Sequence, residues 1–473
     1  MAKREKRDLL AYIREGRTMT RQEQLQLIVS LSIPSILAQI SATVMFFIDA
    51  AMVGHLGAQA TAAIGLVETT TWLIGGLSMA VNMGFSVQVA HFIGANDFSS
   101  ARRVLRQALT CGLLWSVLIS ATGIAIHRYL PYWLGGSPDI AADASLYFVL
   151  IGIFGIFFQM EGLAGSMLKC SGNMKVPSAL NILMCVLDVV FNYLFIYQFD
   201  MGVAGAACGT GAAELITALL MLYFLLWRSD MLGGFRGERK DESGEKREER
   251  RETILSLPTS DVVGKAFKIG APMALQHLLM GSAQIVSTVI VAPLGTVAIA
   301  ANSLAITVES LCYMPGYGIA EAATTLVGQG IGAGQRLLTR SFAYLSVALG
   351  VAVMTLMGVL MFVFAPELMT LMTPVDGIIH LGADVLRIEA FAEPMFAAYI
   401  VANGVFVGAG DTLVPAAMSL VSMWAVRLTM AASLAPRFGL RGVWVAMAVE
   451  LTFRGTIFLV RLFRGKWQGK VKS

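Results

Sequence analysis

The chain has 473 residues, of which 56% are hydrophobic and only 14% are charged, and its mean hydropathy is +0.70. Because soluble domains carry about 25% charged residues, this composition excludes an ordinary soluble protein and predicts a membrane protein. The net charge of +4 says little by itself, so the placement of the positive residues along the chain has to be considered.

The first long apolar segment, LQLIVSLSIPSILAQISATVMFFIDAAMVGHLG at residues 25–57, is long enough to cross a bilayer. It contains Pro34 near its start and one acid, Asp49. A carboxylate inside a transmembrane helix costs about 2.5–3.5 kcal/mol on insertion scales, and such a residue usually faces a cavity or a partner. We therefore predict that Asp49 is part of a cation site and that the basic residues 1–25 form a cytoplasmic tail.

Similar apolar segments recur along the whole chain, which predicts an all-α polytopic membrane protein. Twelve transmembrane helices are predicted, at residues 26–53, 60–92, 104–127, 140–168, 177–198, 203–227, 264–292, 297–330, 340–364, 377–407, 414–435 and 440–462. With the N-terminus inside, 29 of the 35 Lys and Arg residues lie in cytoplasmic segments, and only Arg128, Arg437 and Arg441 lie outside. This positive-inside pattern predicts that both termini are cytoplasmic.

The two halves of the chain are copies of each other. At a constant offset of 238 residues, Pro34 matches Pro272, Gly57 matches Gly295 and Gly172 matches Gly410. Six spans per half is an even number, so both copies point the same way, as in transporters whose two bundles rock against each other. The predicted organisation is an N-lobe at 26–227, a charged cytoplasmic linker at 228–263, a C-lobe at 264–462 and a cytoplasmic tail at 463–473. The linker mixes both signs of charge without interleaved aromatic residues, so it does not indicate nucleic-acid binding.

A second intramembrane acid completes a candidate cation site. Asp188 and Asn192 are four residues apart in the fifth predicted span, hence on one face of a helix. With Thr210 in the sixth span and Asp49 in the first, they lie in the outer half of the N-lobe. Carboxylate, amide and hydroxyl oxygens suit a Na⁺ ion or a shared proton.

The repeat provides a comparison for this site. The counterparts in the second half are non-acidic, namely Ser287, Val426, Met430 and Met447. The fold therefore does not require acids at these positions, which favours a functional role. The alternative is that Asp188 only caps or hydrogen-bonds the end of a neighbouring helix.

Five motifs together resemble the multidrug and toxic compound extrusion (MATE) family over essentially the full length. They are Asp49–Gly57 (DAAMVGHLG) after Pro34, Gly172-Asn173 ahead of Pro177, Val291–Gly295 (VAPLG), Thr325–Gln329 (TLVGQ) and Gly408–Thr412 (GAGDT). The resemblance implies two six-helix lobes arranged in a V and drug export driven by entry of Na⁺ or H⁺.

The same resemblance assigns the candidate site to one branch of the family. In archaeal and DinF-like members, an acid at the position of Asp49 is a key cation residue, joined by groups matching Asp188, Asn192 and Thr210. The helix 5 pair there runs Asn then Asp, whereas here it runs Asp then Asn. NorM-like members carry acids on helices 7 and 10, and this chain has none on helix 7. We therefore expect a cation site closer to the DinF-like pattern.

Other polar residues in predicted spans have two interpretations. Glu161, Glu214, Glu309 and Glu321 are candidates to attract a cationic drug or to make internal contacts. Three cations and three anions in the C-lobe are expected mainly to pair with each other, with substrate or gating contact as the alternative; they are Arg387, Glu389, Glu393, Arg427, Glu450 and Arg454.

These features predict a monomeric H⁺- or Na⁺-coupled antiporter in the plasma (inner) membrane, in contact with the lipid bilayer. It would export amphipathic, often cationic compounds by alternating access, with a bend at Pro34 and no bound cofactor. The alternative is a flippase for a lipid-linked saccharide. An enzyme is not expected, because the sequence has no His-Glu-x-x-His, Gly-x-Ser-x-Gly or P-loop motif.

Overall fold

A computed structural model describes residues 9–233 and 255–468. Every regular element in these two ranges is helical, which confirms the predicted all-α class. Parts of the predicted N-terminal tail (1–8), linker (234–254) and C-terminal tail (469–473) lie outside the described residues.

The helices are, in chain order, α1 (Leu9–Arg14), α2 (Arg21–His55), α3 (Ala58–Gly94), α4 (Phe98–Ile126), α5 (Leu130–Trp133), α6 (Pro138–Cys170), α7 (Lys175–Tyr193), α8 (Gly202–Tyr223), α9 (Ser260–Val291), α10 (Thr296–Gly332), α11 (Arg336–Val363), α12 (Ala365–Met372), α13 (Asp376–Ala390), α14 (Glu393–Gly408), α15 (Leu413–Val421) and α16 (Thr429–Arg464). Short π-helical turns follow α7 (Leu194–Gln198), α8 (Phe224–Arg228) and α15 (Ser422–Leu428). Short 3₁₀ turns lie at Ala292–Leu294 and Lys466–Gln468.

The helices agree with twelve predicted spans. Among the described residues, ten helical segments are long and apolar enough to cross a membrane, and α13 with α14 forms one more, bent by 58°. One of the ten, Leu413–Arg464, has 52 residues. At about 1.5 Å per residue it would measure about 78 Å, more than twice the thickness of a bilayer core. It is kinked at Gly439, where φ is 60° and ψ is −142°, so we count it as two spans.

The tenth predicted span differs from the structure. The sequence indicates one continuous helix at 377–407, but the chain leaves the helical path between Ala390 and Glu393. Pro394 stands at the start of α14. Proline lacks an N–H and clashes with the preceding turn, so it is tolerated in the first turn of a helix but not in the interior.

The chain divides into two compact units by its internal contacts. The N unit contains residues 41–271, and the C unit contains the described residues of 1–40 and 272–473. The division does not fall in the linker, as the predicted lobes do. It cuts α2 after Ile40 and α9 before Pro272, so each of these helices contributes to both units.

Small residues explain how the first part of α9 packs in the N unit. A Cβ on Gly84 of α3 would come within 3.0 Å of the Ala266 carbonyl carbon, and a Cβ on Gly270 would lie 2.7 Å from the Ala80 oxygen. Both helices therefore present small residues four positions apart, which lets the two backbones approach closely, as in other transmembrane helix pairs.

The C unit contains the corresponding crossing. A Cβ on Gly318 of α10 would lie 2.7 Å from the backbone nitrogen of Ile36 in α2. Gly318 is the repeat counterpart of Ala80 at the offset of 238. The exchange of helix segments is therefore made in the same way in both halves.

Replacing Gly84 with Leu is expected to destabilise the N unit, since overpacking a close crossing costs about 1–3 kcal/mol. Gly65→Leu on the same helix is the matched control, because a Cβ there meets nothing within 4 Å. Thermal unfolding of the purified proteins in detergent measures the difference. Equal melting temperatures for the two variants would contradict the close α3–α9 packing.

Candidate functional site

The centre of the candidate site is the second half of α7. Asp188 and Asn192 are one helical turn apart, with exposed fractions of 0% and 2%. Directly after Tyr193 the helix widens into the π-helical turn Leu194–Gln198. Such local widening is frequent at functional sites, because it re-aims side chains without ending the helix.

The Asn192 amide bridges the two acids. Its Nδ2 donates to Asp49 Oδ1 at 3.0 Å and to Asp188 Oδ2 at 3.1 Å. The Asp188 carboxyl also interacts with the side chains of Asp49 and Thr210. The structure thus brings together the four predicted residues, which come from α2, α7 and α8 and all belong to the N unit.

Two glycines of α8 allow it to approach α7 at this point. A Cβ on Gly209 would lie 2.8 Å from the Asn192 backbone nitrogen, and a Cβ on Gly205 would lie 2.8 Å from the Phe195 carbonyl. Gly205 and Gly209 form a Gly-x-x-x-Gly pattern, a sequence signal for close helix packing that can be recognised in the sequence. Sequence reasoning did not include them in the site, although they position Thr210.

The site contains more acceptors than donors. One Asp188 oxygen (Oδ1) and the Asn192 amide oxygen are buried and accept no hydrogen bond from the described residues. Asp49 and Thr210 are half-buried, so the site is reached from one side. Two carboxylates this close in a poorly hydrated environment cannot both stay charged without a cation or a shared proton.

The donor set limits how a metal ion would be held. No group of three or more His, Cys, Asp or Glu side chains within 9–233 and 255–468 is placed to hold a metal ion. A Na⁺ ion carried through the site would therefore also use the Asn192 amide oxygen and the Thr210 hydroxyl. A proton needs only one carboxylate oxygen, so this arrangement suits either cation.

Comparison with known proteins agrees with this fold and repeat. The MatE family model matches residues 34–194 and again 272–432, and each boundary of the second match lies 238 residues after that of the first. Together the two matches cover more than half of the chain. The chain belongs to the MatE family.

Individual relatives extend over nearly the whole MatE chain. A probable multidrug resistance protein NorM from Thermotoga maritima is 25% identical over 451 residues, covering 93% of this chain and 92% of the relative. The multidrug resistance protein MdtK of Yersinia pseudotuberculosis is 24% identical over 455 residues, covering 92% and 94%. A solved MOP superfamily transporter from Pyrococcus furiosus matches with a TM-score of 0.86 at 19% identity, covering 98% and 100% of the two chains.

Family membership establishes the general class of the protein. MatE proteins are secondary transporters and not enzymes, and the helices of this chain make it a multi-pass membrane protein. The likeness to the solved transporter concerns the fold alone.

The predicted hinge residue of this MatE chain lies within an unbroken helix. α2 runs through Pro34 from Arg21 to His55. Pro34 belongs to the part of α2 that is counted in the C unit, where the next turn packs against Gly318. Further along α2, Gln39 Nε2 donates to Glu321 Oε1 of α10 at 3.4 Å, so Glu321 makes a contact inside the C unit.

Acidic residues of the C unit gather where α13 breaks. Glu389 ends α13 and Glu393 begins α14, both with an exposed fraction of 0%, and Glu309 of α10 is 5% exposed. Neither Glu389 nor Glu393 accepts a hydrogen bond from the described residues. Glu309 interacts electrostatically with Arg427.

The expected pairing among the C-unit charges is found for one pair. Arg454 Nε donates to Glu450 Oε1 at 2.6 Å, one helical turn away on α16. Arg427 instead donates to Met447 Sδ at 2.7 Å. Arg387 donates to the Phe362 carbonyl at 3.3 Å, so it binds a backbone group and not an acid. Its position before the break in α13 could not be foreseen from a continuous predicted span.

Proposed function

We propose that this MatE protein is a cation-coupled antiporter that exports amphipathic, often cationic compounds by alternating access. Inward movement of H⁺ or Na⁺ at Asp49, Asp188, Asn192 and Thr210 drives the export. The observation that carries the proposal is the single Asn192 amide shared by two carboxylates inside one transmembrane unit. This site gains most when a cation neutralises it.

Cation binding has a direct route to conformational change along α2. Asp49 lies in the part of α2 that belongs to the N unit, while Pro34 lies in the part that belongs to the C unit. Loading a cation reduces the repulsion between Asp49 and Asp188 and lets α2 and α7 repack. A proline in a helix interior removes a backbone hydrogen bond, so bending of α2 is expected at Pro34.

Several finer features belong to the same proposal. The four-residue set supports the archaeal and DinF-like type of cation site, while the names of the NorM and MdtK relatives support multidrug substrates. We place both termini in the cytoplasm and the protein, as a monomer without a bound cofactor, in the inner membrane. The exported compounds cross beside Glu161, Glu214, Glu309 or Glu321, or contact the C-unit residues Glu389, Glu393 and Arg427.

Transport in everted membrane vesicles tests the proposal. We expect a fluorescent cation such as ethidium to accumulate when a pH gradient or a Na⁺ gradient is imposed alone, and not when both are collapsed. Accumulation that persists without either gradient would contradict cation coupling. Transfer of a fluorescent lipid-linked saccharide, without ethidium transport, would instead identify a flippase.

A further inference from the structure

Two more acids of the N unit follow the candidate site along the bundle. Glu214 lies four residues after Thr210 on α8, hence on the same helix face. It is only 7% exposed, and its Oε2 accepts no hydrogen bond from the described residues. A buried carboxylate without a donor is costly as an anion and readily holds a proton.

The second acid, Glu161 of α6, is joined to α7. With its amide oriented to donate, Asn181 Nδ2 lies 2.9 Å from Glu161 Oε1 and 3.0 Å from the Pro177 carbonyl oxygen. Asn181 is seven residues, or two helical turns, before Asp188, so both occupy one face of α7. Glu161 is half-buried.

These acids are electrostatic neighbours of one another. Glu214 interacts with both Asp188 and Glu161, so it lies between the candidate site and α6. The other titratable groups that face this series are named here together: Tyr147 of α6, which interacts with Asp49, Asp188 and Glu68; Cys185 of α7, which interacts with Asp49, Asp188 and Glu214; and Lys169 of α6, which interacts with Glu161.

The acids lie at successive depths in the bundle. At about 1.5 Å per residue, Asp188 is about 20 Å from the start of α7, whereas Asn181 is about 9 Å from it. Glu161 is about 13 Å from the end of α6 by the same measure. The starts of α7 and the ends of α6 and α8 are on the side that the positive-inside pattern assigns to the cytoplasm.

The repeat again provides a comparison. At the offset of 238 residues Glu161 corresponds to Tyr399, and with the one-residue shift that aligns Gly205 with Gly442, Glu214 corresponds to Leu451. The C half therefore forms the same helices without acids at these two positions. Packing alone does not require Glu161 and Glu214.

We propose that Glu214 and Glu161 form a proton route through the N unit, which connects the Asp49–Asp188 site with the cytoplasmic ends of α6 and α7. The inference rests on the proposed antiport and assigns H⁺ as the coupling ion. Each step moves one proton: the O–H bond of a protonated carboxyl breaks as the O–H bond on the next carboxylate forms, directly or through water. No group is oxidised or reduced. A single carboxylate suffices for a proton, whereas hard metal cations such as Ca²⁺ take about six or more oxygen ligands.

Reconstituted full-length protein tests this route. Proteoliposomes with a pH-sensitive dye inside report proton movement, and ethidium reports export, under an imposed pH gradient with Na⁺ replaced by choline. We expect Glu214→Gln and Glu161→Gln each to lower both fluxes about 10²-fold or more, the range for removing a positioned proton-transfer group. Ethidium binding in detergent should change less than about twofold, since one pKa-scale step of 1.4 kcal/mol already corresponds to tenfold. Glu367→Gln, which alters an exposed acid on α12, is the matched control and should leave both fluxes unchanged.

The outcomes separate the route from the antiport itself. Loss of transport in Asp188→Asn together with normal transport in both glutamine variants would overturn the route and leave the proposed function standing. Normal transport in Asp188→Asn would contradict the proposed function. Weaker ethidium binding with an unchanged ratio of protons to ethidium would make Glu161 and Glu214 substrate contacts and overturn the route. A strict Na⁺ requirement in the wild-type protein would also overturn it. Glu161→Gln keeps the test decisive if Glu214→Gln fails to fold, because Glu161 is less buried.

Discussion

Asp188→Asn is expected to abolish gradient-driven export while leaving the fold intact. The substituted amide has nearly the shape of the carboxyl, but it cannot bind a proton or neutralise a cation. It also places an amide next to the Asn192 Nδ2 that now donates to Asp188 at 3.1 Å. Coupling free energies of about 1–3 kcal/mol correspond to factors of about 5–150, so export under a gradient should fall by at least about tenfold. Substrate uptake into vesicles under an imposed pH or Na⁺ gradient measures the loss.

Two controls separate lost coupling from lost folding. Asp139→Asn makes the same change at an exposed position at the start of α6 and should export as the unmodified protein does. Asp49→Asn should lose export as Asp188→Asn does, because both acids share Asn192. Wild-type export in either cation-site variant at equal expression would rule out the coupling role of that acid.

The helices and the candidate site are predictable from the sequence because the bilayer imposes strong local rules. A span needs about 20 apolar residues, so its existence is visible in composition alone. A carboxylate in such a span is costly enough to need a partner, which is why Asp49 and Asp188 could be expected near each other. The offset between the halves identified the repeat before any contact was known.

The features that the sequence did not predict depend on packing between distant segments. The break between Ala390 and Glu393 lies in an uninterrupted apolar run, and only Pro394 indicates it. The assignment of the first part of α2 to the C unit follows from close contacts such as Gly318 with Ile36. The bond from Arg387 to the Phe362 carbonyl likewise depends on where two helices end in space. None of these is a property of a local window.

Removing Arg454 should be among the most destabilising single changes in the C unit. Arg454 and Glu450 are 2% and 0% exposed, and the Arg454 guanidinium also lies 4.8 Å from the centre of the Tyr399 ring. Glu450 Oε1 accepts a second hydrogen bond, from Ser422 Oγ at 2.6 Å. Arg454→Met leaves Glu450 as an uncompensated buried charge, which costs about 3–5 kcal/mol. Thermal unfolding in detergent should show a large fall in melting temperature.

A double variant distinguishes the cost of the unpaired charge from lost packing. Adding Glu450→Gln to Arg454→Met removes the orphaned charge, so most of the lost stability should return. The exposed pair of Arg441 and Asp384, at 2.6 Å with side chains 59% and 39% exposed, is the matched comparison. Arg441→Met should cost about 1 kcal/mol or less, because water screens exposed ion pairs. Equal losses for Arg454→Met and Arg441→Met, or no recovery in the double variant, would show that burial of the charge is not what makes Arg454 important. The position of the pair on one face of α16, one turn apart, makes recovery the expected result, since methionine and glutamine fill similar volumes on the same helix.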